Sequence, residues 1–181
     1  MFRTAFRRNR ASVKFALAFA GYLAALALIF EVLDGAFARF YLKPTCIATS
    51  FLLEFLGVEA EIRFENLSDG FCDFLFGKEA YRITYSCTGI FTCLIFVAGV
   101  LAYPSSASQK LRGLAVGIPA FLLFGIARLT LMGFIAAVEP DYISPFHRYI
   151  MVMVGAGVAL FLWMWWVEKV AKLERPCSIP V

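Results

Sequence analysis

Four stretches of the chain, roughly residues 13–33, 86–103, 113–138 and 147–167, are each apolar over about the length of a bilayer crossing, and no other feature constrains the fold so tightly. A spanning helix needs about 20 mostly apolar residues, because a backbone in hydrocarbon must satisfy its own polar groups. We therefore expect an all-α integral membrane bundle of about four transmembrane helices, forming a single membrane domain over residues 1–181. Composition agrees: 61% of the 181 residues are apolar, 17% are charged and the mean hydropathy is +0.78, whereas soluble domains carry about 25% charge. So apolar a chain is neither disordered nor a polybasic nucleic-acid binder, and we expect membrane lipids and no nucleic acid among its partners.

The first stretch also has the marks of a signal peptide. Arg3, Arg7, Arg8 and Arg10 precede it, and Ala36-Phe37-Ala38 resembles a cleavage site. Against cleavage, the run from Phe15 to Phe30 exceeds the usual hydrophobic region, and Glu31 and Asp34 lie before the cut. We expect the segment to be retained as a transmembrane helix.

Four crossings put both termini on one side, and the distribution of basic residues chooses which. The arm 1–12 with Lys14, the 104–112 loop and the tail 168–181 together hold ten basic residues against Glu168 and Glu174, a net of +8. The opposite side, residues 35–85 and 139–146 with the adjoining span ends, holds six basic residues and eleven acidic ones, a net of −5, and Arg128 is left inside a span. Both termini are thus expected in the cytoplasm of a multi-pass cell-membrane protein, with 35–85 and 139–146 facing outward. Segment 35–85 reads as a surface-lying amphipathic helix ending at Gly57, followed by a small hairpin or three-stranded sheet. Residues 59–65 and 81–85 alternate in polarity, and Asn66 to Gly70 supplies turn residues.

An ionisable residue within a span is costly and marks function by default. Arg128 lies ten residues before Val138, about 15 Å of helix, too deep for its side chain to reach water. It must face the bundle interior or a wet cavity, as an element of a site or as one half of a pair that serves assembly alone. Counting from the cytoplasmic ends at Tyr103, Gly113 and Val167, Cys87, Arg128 and His147 stand at heights of about 24, 22 and 30 Å. A thiol, a fixed cation and the one imidazole of the chain therefore converge in the outer leaflet from three helices. Each has an inert reading alone, since buried cysteine often acts as a small hydrophobe and a lone histidine often sits at an interface. Cys93 points elsewhere, about 240° around the helix from Cys87. Cys177 falls in the tail, and Cys46 and Cys72, both outward, could form a disulfide in an oxidising compartment, although their spacing gives that pairing no independent support. Ser86-Cys87-Thr88-Gly89 opens a helix just after a strand, a setting that, with Arg128 at the same height, favours the thiolate; Gly89 would permit close backbone approach. His147 offers a general acid or base, and Arg128 a donor to a carbonyl or oxyanion. These are the parts of thiol-based acyl transfer. One histidine and five scattered cysteines give no metal-ligand spacing, and no metal or cofactor is expected.

At these residues the chain resembles the exosortase/archaeosortase family of membrane cysteine transpeptidases. Tyr85-Ser86-Cys87-Thr88-Gly89-Ile90 is similar to the family's Cys-Ser/Thr-Gly motif, Ala127-Arg128-Leu129 to its Arg motif, and Phe146-His147-Arg148 to its third catalytic position. The resemblance spans about 40–167. It departs from the pattern at Gly125, where the family often has Asn, and the chain is short for the family. The resemblance implies Cys87 as the nucleophile that forms an acyl-thioester, Arg128 as oxyanion or carbonyl stabiliser or proton donor, and His147 as general acid/base or transition-state stabiliser. It implies substrates that carry a C-terminal sorting signal with a recognition motif, a transmembrane helix and a basic end. A lipid-linked amine or water would accept the acyl group. Two other classes fit the residues: a non-enzymatic membrane assembly subunit, in which Arg128 pairs with a partner, and a lipid acyltransferase that uses a thioester.

Overall fold

The computed structural model describes residues 2–76 and 79–171, so that the expectations for Lys78 and for Lys172, Glu174, Arg175 and Cys177 of the tail lie outside the described residues. The molecule is mostly helical, with one small sheet at one end. Helix α1 (Phe2–Val32) contains the first apolar stretch, Ser12–Val32. A short turn, α2 (Asp34–Phe37), and a π-helical turn (Ala38–Leu42) lead without a break into α3 (Lys43–Phe55), where Pro44, which withholds an N–H from the run, follows the π turn directly. At the far end of α3 Gly57 takes a left-handed φ of 79°, and the Gly57 and Val58 amides close back on the Glu54 and Leu53 carbonyls.

Helix α3 presents two unlike faces. Thr45, Cys46, Thr49 and Leu53 are buried against the protein, and the two threonine hydroxyls donate to the Tyr41 and Thr45 carbonyls one turn back. Phe40, in the preceding turn, and Phe51 and Phe55 of α3 are exposed, an apolar surface suited to the headgroup boundary.

Strands β1 (Glu61–Arg63), β2 (Phe71–Phe76) and β3 (Glu79–Thr84) form an antiparallel sheet in the order β1-β2-β3. Cys72 pairs with Ile83 and Phe74 with Tyr81, and this face turns inward: Cys72 and Phe74 are fully buried. Cys46 of α3 is disulfide-bonded to Cys72 of β2. The sheet and α3 enclose a core of Phe30, Leu42, Leu53, Phe74, Tyr85 and Ile90.

The stretch 86–103 departs from expectation. It is not one helix of spanning length but a single turn, α4 (Tyr85–Thr88), and a 13-residue helix, α5 (Ile90–Ala102). The break is Gly89, whose φ of 79° cannot continue a right-handed helix. The other end stops at Tyr103, which is extended as the residue before Pro104. At about 20 Å, α5 is shorter than a bilayer's hydrocarbon core.

Helix α6 (Ala107–Val138) begins six residues before the expected 113, because Ser106 and Gln109 form a reciprocal capping box that nucleates it ahead of the apolar run. The expected outward connection 139–146 is also different. After Glu139 the chain resumes helical geometry at once, through a 3-10 turn (Pro140–Tyr142), α7 (Ile143–Pro145), a π-helical turn (Phe146–Ile150), α8 (Met151–Trp166) and a last π-helical turn (Val167–Ala171). Pro140 favours a helix start, and Pro145, which withholds an N–H within the run, immediately precedes the π turn. Three helical stretches, Ser12–Val32, Ala107–Val138 and Pro140–Ala171, are long and apolar enough to cross a membrane. Exposed Leu17, Leu28, Leu123, Met153 and Phe161 give them the apolar outer surface that lipid requires. At the end remote from the sheet, Phe96, Val100, Phe121 and Trp166 join α5, α6 and α8 in a second core.

Candidate functional site

The site is built around α4, the single turn between β3 and α5. Tyr85 and Thr88 hold this turn from both ends. The Tyr85 hydroxyl donates to the Asp34 carbonyl at 2.9 Å, and its ring meets Phe30 edge-on at 5.0 Å. Burial, with Asp34 beside it, pushes the Tyr85 phenol above its ordinary range, so it remains a donor. The Thr88 hydroxyl donates to the Tyr85 carbonyl at 2.7 Å and meets the Tyr41 hydroxyl from the turn before α3. Cys87, between these anchors, is half-buried. Its sulfur lies 3.7 Å from the Thr84 hydroxyl, which is itself 3.0 Å from the Ser86 hydroxyl.

Gly89 therefore acts otherwise than expected. An added Cβ there would make only ordinary contact with Phe124; what the position requires is the left-handed turn. That turn separates Cys87 from the head of α5 and gives the thiol its own short segment.

Helix α6 crosses directly over α4. At Gly125 a Cβ would run into the carbonyl oxygen of Thr88, so no side chain fits where the resembling family often has Asn. This departure is the condition for the close crossing. One turn further along, the same helix delivers Arg128, 6% exposed. Its Nη2 lies 3.4 Å from His147 Nε2. A guanidinium can only donate, so Nε2 accepts and the neutral ring carries its proton on Nδ1. Arg128 Nε has no partner among the described residues. His147 comes from the π-helical turn Phe146–Ile150, a distortion of the kind that often re-aims a side chain at a functional site, and lines the same cavity as Cys87.

The structure thus brings Cys87, Arg128 and His147 together from α4, α6 and the π turn before α8. Cys87 and His147 line a cavity of about 310 Å³ whose walls include Thr49, Ile83, Leu129 and Met132. Cys93 is elsewhere, packed against the second core. Thr84 and Tyr41 escaped the sequence reading. Thr84 adjoins the cysteine motif and was open to notice, whereas Tyr41, 47 residues before Thr88, left no local signal. Among the described residues, no group of three or more His, Cys, Asp or Glu is placed to hold a metal ion.

No protein-family model, curated protein or solved structure matches this chain.

Proposed function

We propose that the chain is a membrane-embedded cysteine transpeptidase that cleaves the C-terminal sorting signals of exported proteins near the outer membrane face, as the resemblance to exosortases and archaeosortases implies. One observation carries the reading: a thiol and an imidazole line one largely apolar cavity, and a buried guanidinium whose Nε has no partner among the described residues lies against the imidazole, the three drawn from separate elements.

In the mechanism, His147 Nε2 takes the proton of the Cys87 thiol, the sulfur attacks the scissile carbonyl carbon, and the oxyanion that forms takes hydrogen bonds from Arg128. Collapse breaks the C–N bond, and His147 supplies a proton to the departing amine. The resulting thioester is attacked by a lipid-linked amine or by water. That nucleophile gives its proton to His147, the C–S bond breaks, and the departing thiolate takes that proton back. Arg128 and His147 are coupled in this scheme: a proton on Nε2 removes the acceptor that Arg128 uses in the empty site and frees the guanidinium for the substrate oxygen.

We assign the chain four crossings of the cell membrane, with α5 as a short one where the bilayer thins or flanking residues reach outward. Both termini are then cytoplasmic, by the +8 to −5 charge asymmetry. The Cys46–Cys72 disulfide supports an oxidising, outward location for the sheet.

Alkylation by iodoacetamide tests the reading. In the intact protein Cys87 should react well over tenfold faster than Cys93, a thiolate being the reactive form, and His147→Ala should remove most of that advantage. A thioester-linked peptide recovered from Cys87 in cells would fix the chemistry. Equal reactivity of the two cysteines would overturn the proposal in favour of an assembly subunit, and a fatty-acyl adduct would favour the lipid acyltransferase.

A further inference from the structure

Strand β3 ends at Thr84, three residues before Cys87, and it is an edge strand: it pairs with β2, and among the described residues no strand covers its other side. The cavity beside Cys87 runs along this strand. Tyr81, Arg82 and Ile83 all line it, although successive side chains leave a strand on opposite faces. Tyr81 and Ile83 belong to the inward face with Phe74 and Cys72. Arg82 belongs to the outward face, where it pairs with Asp73 at 3.6 Å and stacks on Phe71 at 4.0 Å. It also borders a second hollow on that outer face, with Arg63, Glu65 and Leu75. Three consecutive lining residues place the backbone of the strand, and not one row of side chains alone, along the cavity. The opposite wall is Leu129, Met132 and Ala136 of α6, with Ile143 and His147 beyond. The space between is a slot with a strand edge on one side, an apolar helix face on the other, and the thiol at its end.

We infer that β3 is the substrate-docking edge: an extended, apolar peptide segment on the carbonyl side of the scissile bond adds to the sheet as a fourth strand and is led along β3 to the Cys87 sulfur. Backbone pairing holds the chain in register, and the α6 wall receives its apolar side chains. A sheet this small, built immediately before the cysteine turn, then has a purpose beyond covering the core. It offers a row of backbone donors and acceptors at the site and aligns the carbonyl for attack. This inference rests on the transpeptidase reading, since it takes Cys87 as the nucleophile.

The test uses the full-length protein in detergent and a peptide that carries its own electrophile. Acetyl-trileucine chloromethyl ketone alkylates a thiolate by displacement of chloride, and mass spectrometry of the Cys87 peptide gives the rate. Three further probes each carry one N-methylated amide. Because a strand directs its N–H groups alternately to its two sides, N-methylation should slow Cys87 alkylation about tenfold at alternate amides and leave the intervening ones near the parent rate. Equal rates for all four probes, with Cys87 still reacting rapidly with iodoacetamide, would overturn the docking edge and leave the nucleophile intact. A Cys87 inert to iodoacetamide as well would defeat the transpeptidase reading and the docking edge together.

Discussion

Arg128 shows how one side chain is forced into a role by its surroundings. A guanidinium keeps its charge at any working pH, and at 6% exposure it has left water for a place where it meets an imidazole nitrogen. Among the described residues this buried cation has no carboxylate partner and keeps a spare N–H, which under the proposed function a substrate carbonyl would take. Lysine retains the charge and loses the planar fork, so Arg128→Lys should lower the yield of thioester adduct by about 10- to 100-fold while membrane insertion is unchanged. Quantitative recovery of the Cys87 adduct against total protein checks this, and a wild-type yield would take Arg128 out of the oxyanion contact.

Between elements, the decisive contact is α6 over α4, and it depends on the absence of a side chain at Gly125. Thr88 presents backbone there, which cannot swing aside as a flexible side chain would. Gly125→Ala should therefore destabilise the protein by about 1–3 kcal/mol, through overpacking that forces the two elements apart. Thermal unfolding in detergent measures the loss. A variant as stable as wild type would mean that α6 does not approach α4 so closely. The disulfide acts on the other wall of the cavity. Cys46 and Cys72 are 26 residues apart in sequence and tie α3 to the sheet; Thr49 and Phe74, close to them in the chain, both line the cavity. Its removal as Cys46→Ser with Cys72→Ser should cost about 2–4 kcal/mol by releasing the unfolded chain. The same measurement applies, with reductant lowering the wild type, and only the wild type, toward the double variant.

For the whole molecule, the two cores lie at opposite ends of the helices: one beneath the sheet, holding the cysteine turn, and one around Trp166, whose indole N–H donates to the Gln109 carbonyl at 2.9 Å. Under the proposed function, a protein so arranged keeps its chemistry at one membrane face. Reporter fusions after Lys43 and Ser144 should read outside, and fusions after Ser106 cytoplasmic. A cytoplasmic reading at Ser144 would set His147 and Cys87 on different sides and end the mechanism.

The sequence by itself determined the apolar, membrane-type character of the chain, the helix stop at Gly57 and the choice of Cys87, Arg128 and His147 as candidate site residues. Each of these depends on local quantities: transfer of apolar residues, a backbone angle open to glycine, or the cost of a charge in hydrocarbon. Tertiary structure decided that Gly89 breaks the expected span, because its left-handed conformation is one that glycine permits and does not compel. It decided that helix resumes at Pro140, that Cys46 meets Cys72 and that Tyr41 meets Thr88, since partners far apart in sequence are chosen by packing. It decided too that Gly125 must be bare, because only the crossing of α6 over the Thr88 carbonyl makes a missing side chain a requirement, and no pattern along a single chain records what another segment will press against it.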